Sequence, residues 1–138
     1  MTAEQETKTL LSIAITAAVS ATATTQTSFK KRPVSLALQA NFTYTSGGTS
    51  ADAYVQTSLD NGATWVDIAN FHFTTASAIR AYNLTNAAVT TQATPGDGSL
   101  TANTCVNGFL GSLYRVKYVV LASASYVGTT LIITAVPI

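Results

Sequence analysis

Acidic residues run out early in this chain. No glutamate follows Glu6, and Asp52, Asp60, Asp67 and Asp97 are the only carboxylate side chains beyond it. Histidine, cysteine, methionine and tryptophan occur once each, and charged residues make up 9% of the chain, against roughly 25% in typical soluble domains. One cysteine, Cys105, permits no internal disulfide and no cysteine-rich metal site. Set in an apolar–polar alternation between Ala102 and Val106, it is expected to be a buried structural thiol. A single histidine beside a single cysteine argues against a transition-metal site. The net charge of +1 gives no field that would draw nucleic acid or a membrane surface. No apolar run approaches the ~18 residues of a membrane span.

What the chain does have is 47% hydrophobic residues, with Ser and Thr supplying much of the polarity. Apolar and hydroxyl side chains in alternation suit pleated sheets, and so low a charge suits a surface that lies against other protein. The length of 138 residues fits one domain. Residues 1–7 read as a polar N-terminal arm, and 8–138 as the domain. Thr9 to Val19 is apolar, but Glu4 and Glu6 precede it where a signal peptide carries positive charge, so none is expected. A first strand is expected from Lys8 to Val19, with Leu11, Ile13, Ile15, Ala17 and Val19 on one face.

The firmest local signal lies at 53–68. Ala53, Val55, Thr57 and Leu59 alternate with Tyr54, Gln56 and Ser58; Asp60-Asn61-Gly62 makes a turn, and Trp65, Val66 and Ile68 return as a second strand. Pro33 opens a long strand with Val34, Leu36, Leu38, Ala40, Phe42 and Tyr44 facing the core. Further strands are expected around 71–73, at 78–84, at Leu100–Val106, at Leu113–Ala122 and at Thr129–Val136. The last two would form a C-terminal hairpin based on Gly128-Thr129-Thr130. A Thr-, Ala- and Gln-rich connection after Leu84 ends in a turn at Thr94–Ser99. Seven or eight strands without a convincing helix give an all-β fold, an antiparallel β-sandwich; between a jelly roll and an immunoglobulin-like sandwich, the strand number favours the jelly roll.

Candidate chemistry is sparse. Ser58, Asp60, Gly62 and Trp65 match the Ser-x-Asp-x-Gly-x-x-Trp Asp-box at its proper spacing. The motif resembles the repeated hairpins of sialidases, where it stands away from the catalytic site, so it implies a structural hairpin with Trp65 packed as core. A sialidase Tyr/Glu nucleophile pair has no glutamate here. A paired-carboxylate glycosidase would need two of Asp52, Asp60, Asp67 and Asp97 in one cleft. Asp60 and Asp97 are taken up by turns, and Asp52 and Asp67 read as strand-edge or outward residues. His72, flanked by Phe71 and Phe73, reads as a hydrogen-bonded structural histidine. Calcium at Asp60, Asn61 or Asp97 is weakly supported, since neither loop is rich in acids. No catalytic, cofactor or metal residue is therefore expected. Lys30-Lys31-Arg32 is the one concentrated charge, and Arg115 and Lys117 share a strand face; all five are candidate protein contacts. Tyr54, Trp65 and Tyr82 are the alternative, as a sugar-binding aromatic groove.

Val55–Asp67, Gly96–Leu100, Leu110–Lys117 and Tyr126–Leu131 together resemble, in pattern and composition, small β-rich structural proteins of tailed bacteriophages. That resemblance implies a non-enzymatic virion protein of the capsid cement or decoration type. Such a protein would be made in the host cytoplasm, sit on the capsid exterior, form homo-oligomers and bind the major capsid protein without touching DNA or membrane. A neck or tail component and a carbohydrate-binding module are the alternatives.

Overall fold

The computed structural model describes residues 6–86 and 94–138. Most of the expected arm, and residues 87–93 of the expected connection, lie outside them. The chain forms strands β1 (Lys8–Ile15), β2 (Val19–Ala23), β3 (Ser35–Thr43), β4 (Ser50–Ser58), β5 (Val66–Phe73), β6 (Ala78–Thr85), β7 (Leu113–Leu121) and β8 (Thr129–Pro137). They build two four-stranded sheets, ordered β1-β8-β3-β6 and β2-β7-β4-β5. Every pairing is antiparallel. This interleaved order is the jelly roll. Only the β4–β5 connection stays within one sheet; every other link between strands crosses to the opposite one.

The period-2 pattern explains most of the core. Leu36, Leu38, Ala40 and Phe42 of β3 face Ala51, Ala53 and Val55 of β4 and Phe71 and Phe73 of β5, all buried. Phe42 stacks flat on Phe73, with ring centroids 4.7 Å apart and planes 7° from parallel. Phe71 lies 4.9 Å from the Tyr82 ring of β6. At one end Tyr126 meets Phe42 edge-on and donates its hydroxyl to the Thr74 carbonyl. Its ring also lies where a Cβ at Gly48 would fall, 2.1 Å away, so Gly48 (φ +71°) admits no side chain.

Several expectations are corrected. The Lys8–Val19 strand is two strands, because the chain breaks at Thr16–Ala18 and passes to the other sheet. The Thr16 carbonyl there accepts the Tyr126 amide. β7 and β8 are no hairpin: they lie in opposite sheets, joined through the corner that Tyr126 fills. Leu100–Val106 forms no strand, and Cys105 is exposed. Val34 and Leu59, expected inward, are exposed. Val34 precedes the β3 ladder, and Leu59 lies past the end of β4, in the turn.

Phe42→Ala is expected to cost about 3–5 kcal/mol and to lower the thermal midpoint by about 10 °C or more, as read by differential scanning calorimetry. An exposed-site control, Val127→Ala, should shift it little.

Candidate functional site

Ser58, Asp60 and Gly62 come together in the β4–β5 turn. Asp60 Oδ1 accepts the Thr64 amide at 2.8 Å and its Oδ2 accepts the Thr64 hydroxyl at 2.6 Å. The Ser58 hydroxyl bonds Asp60 Oδ1 at 2.9 Å and accepts the Gly62 amide at 2.7 Å. Asn61 (φ 60°) and Gly62 (φ 96°) carry the positive dihedrals that close the turn. The two Thr64 bonds, with that from Ser58, hold the Asp60 carboxyl below its usual range against the opposing effect of its partial desolvation. Trp65 departs from expectation: it is half-buried outside the core, and the Arg115 guanidinium lies 4.4 Å from its ring centroid.

The outer face of β5-β4-β7 is a grid of bonded polar groups. In register across the three strands stand His72–Asp52–Val119, then Asn70–Tyr54–Lys117, then Asp67–Gln56–Arg115. Asp67, expected outward, is 1% exposed, because the 96–100 turn folds over it. Its carboxylate accepts the amides of Gly98, Ser99 and Leu100 at 2.8–3.0 Å, and its own amide bonds the Gly96 carbonyl. The Gln56 side-chain amide donates to Asp67 at 2.8 Å and to Asp97 at 2.6 Å, and its carbonyl accepts Arg115 Nε at 2.8 Å. Asp97 also pairs with Lys117 at 3.1 Å and Arg115 at 3.8 Å. Burial works against the charge of Asp97, but the Gln56 bond, Lys117 and Arg115 more than offset it and hold its carboxyl below the usual range. Farther along, the segment near Cys105 covers the free edge of β5: Asn70 N bonds Thr104 O, and Val106 N bonds Ile68 O.

Arg115 and Lys117, read from the sequence as protein contacts, are thus held by the protein's own Asp97, Gln56 and Trp65. Lys30, Lys31 and Arg32 are separate from them. They form an exposed corner between buried Phe29 and Pro33, where Arg32 donates to the Leu110 carbonyl at 3.3 Å and the Lys30 amide bonds Glu6 at 2.9 Å. His72 Nδ1 lies 2.9 Å from Asp52, and no hydroxyl is bonded to that ring among the described residues. Tyr54, Trp65 and Tyr82 share no surface. Tyr82 belongs to the other sheet, bonded to the Asn70 carbonyl, and Trp65 is capped by Arg115. No group of three or more His, Cys, Asp or Glu side chains able to hold a metal occurs among the described residues.

Compared with models of known protein families, with curated proteins and with solved structures, the chain matches none of them. Function is therefore read from surfaces.

The surface that differs most from its surroundings is the outer face of β1-β8-β3-β6. In register across it stand Ile79–Asn41–Ile132–Ser12, beside Ala81–Gln39–Thr134 and Asn83–Ala37–Val136. None of these positions is charged. The nearest cations, Lys8 and Arg80, stand in the inward register of the edge strands. Lys8 pairs with Glu6 at 3.3 Å, and the Arg80 guanidinium lies 5.4 Å from the Phe73 ring centroid. Each strand hinted at this by alternating uncharged outer residues. That they form one face depends on β6, β3, β8 and β1 becoming neighbours.

Asp67→Ala should cost about 3 kcal/mol and speed amide exchange at Gly98, Ser99 and Leu100 about tenfold or more, as measured by hydrogen–deuterium exchange. For Asp97, a folded value below the unfolded ~3.9 means its stabilisation is complete above about pH 4 and lost as pH falls through the lowered value. Asp97→Asn should accordingly flatten the drop in urea midpoint between about pH 5 and about pH 3.

Proposed function

We propose that this protein is a non-enzymatic structural protein of a virion, a capsid cement or decoration protein that binds the major capsid protein shell from outside. The observation that carries this reading is the uncharged outer face of β1-β8-β3-β6, a rigid surface four strands wide. Charge depletion marks the centres of protein–protein interfaces, whereas a solvated face gains solubility from charge. Asp60, Asp67 and Asp97, outside that face, serve the protein's own fold. Asp60 and Asp67 hold turns, and Asp97 binds Arg115 and Lys117.

The exposed corner at Lys30, Lys31 and Arg32 supplies the complementary feature. Lys31 has no side-chain partner among the described residues, and the cluster sits at one end of the sandwich, where an acidic patch of a shell subunit fits it. A contact of this kind steers association and fixes orientation on the shell, the edge strands supply backbone pairing to it, and the uncharged face is left to neighbouring protein in the assembly. Jelly rolls also serve as lectins and cupins, so the fold class by itself does not decide between these roles.

Purified protein is expected to co-sediment with expanded capsids of a tailed phage that lack it, saturating at a fixed ratio to the major capsid protein and raising shell resistance to heat. Lys30→Glu/Lys31→Glu/Arg32→Glu should weaken that binding about tenfold or more, with the thermal midpoint of the free protein lowered only slightly by loss of the Arg32–Leu110 bond. Absence of saturable binding would overturn the cement reading.

A further inference from the structure

The uncharged face has relief as well as composition. Ile79 and Ile132, 65% and 38% exposed, flank Asn41 in one cross-strand row and form an apolar ridge. The two adjoining rows form a shallow trough of about 510 Å³, floored by Ala37 and Ala81 and walled by Gln39, Asn83, Thr134 and Val136. Ridge and trough lie side by side on the same strands.

We infer that this face seats a second copy of the same chain, in a symmetric sheet-on-sheet dimer. The inference rests on the reading of the face as a protein-contact surface and names its occupant. A two-fold axis lying between the sheets and running across the strands would carry the ridge of each copy over the trough of the other. Ile79 then meets Ala81, and Ile132 meets Thr134 and Val136. Such an interface is self-complementary and closes at two copies. Packing is of the aligned kind found inside sandwiches, at about 10 Å between sheets.

Charge selects this occupant among the protein's own surfaces. The outer face of β2-β7-β4-β5 carries Asp52, His72, Arg115 and Lys117 and is partly roofed by the 96–106 segment. Pressing it on the uncharged face would desolvate ions against groups that cannot pair with them. Two copies of the uncharged face bury no ion. Four strands at about 4.8 Å and about eight residues at about 3.3 Å give a face of roughly 19 by 26 Å in projection. That lies toward the small end of specific interfaces, the range of weak or transient association.

The test is sedimentation equilibrium from about 1 to about 300 µM on the full chain, on Ile79→Lys/Ile132→Lys, and on Ala81→Trp, which fills the trough without adding charge. Leu59→Lys, at an exposed position in the β4–β5 turn, is the control, and thermal unfolding checks each fold. The parent and the control should pass from monomer to dimer. Ala81→Trp and the double-lysine variant should need about tenfold or higher concentration at the parent's unfolding temperature. If the double-lysine variant fails to fold, Ala81→Trp decides alone. A parent that stays monomeric throughout overturns the dimer, as does a dimer undisturbed by either variant. The outcome separates from that of shell binding: a monomeric parent that binds shells overturns the dimer alone, whereas a dimer that binds none upholds it and removes the cement reading.

Discussion

Phe42 lies flat on Phe73 where the two sheets meet, and the rest of the molecule is arranged so that such contacts can form. The core strands each have one apolar face, and neither sheet can bury its own; only the other sheet can cover it. The chain meets this constraint by alternating sheets at every link except β4–β5. Corners therefore matter as much as strands. Tyr126 plugs one of them, bonded to Thr74 and to the Thr16 carbonyl and packed so closely on Gly48 that no Cβ fits there.

Once the inner faces are spent on the core, the outer faces are free to diverge. One becomes a bonded polar grid in which Asp67 gathers three amides and Gln56 links two carboxylates to Arg115. The low dielectric around Asp67 makes those bonds costly to leave unmade, which fixes the 96–100 turn over the sheet. Among the described residues, the register positions of the other outer face carry no charge.

Much of the architecture was legible from residue order. Alternation in β3, β4 and β7 places Leu36, Leu38, Phe42, Val55, Tyr114 and Val116 inside, and the Asp60–Gly62 turn follows from side chains that reach only their own loop. The errors fall where distant segments intervene. Asp67 looks outward until the 96–100 turn covers it, Trp65 looks like core until Arg115 caps it, and Cys105 looks buried although its segment merely runs along an edge. Periodicity reports which residues share a face of a strand; it carries no information on what lies over that face.

By itself, then, the sequence determined an all-β fold, the strands with clean alternation, the central hairpin and the scarcity of groups for chemistry. These are properties of neighbours along the chain, set by pleat geometry and turn dihedrals. Only the tertiary structure decided that Lys8–Val19 divides between two sheets and that β7 and β8 part company. It also tied Arg115 and Lys117 to Asp97 on the outer face, and it aligned the uncharged positions of β1, β8, β3 and β6 as one surface. Each of those outcomes is a pairing between segments far apart in sequence, chosen by the joint burial of two sheets and written in no single stretch of the chain.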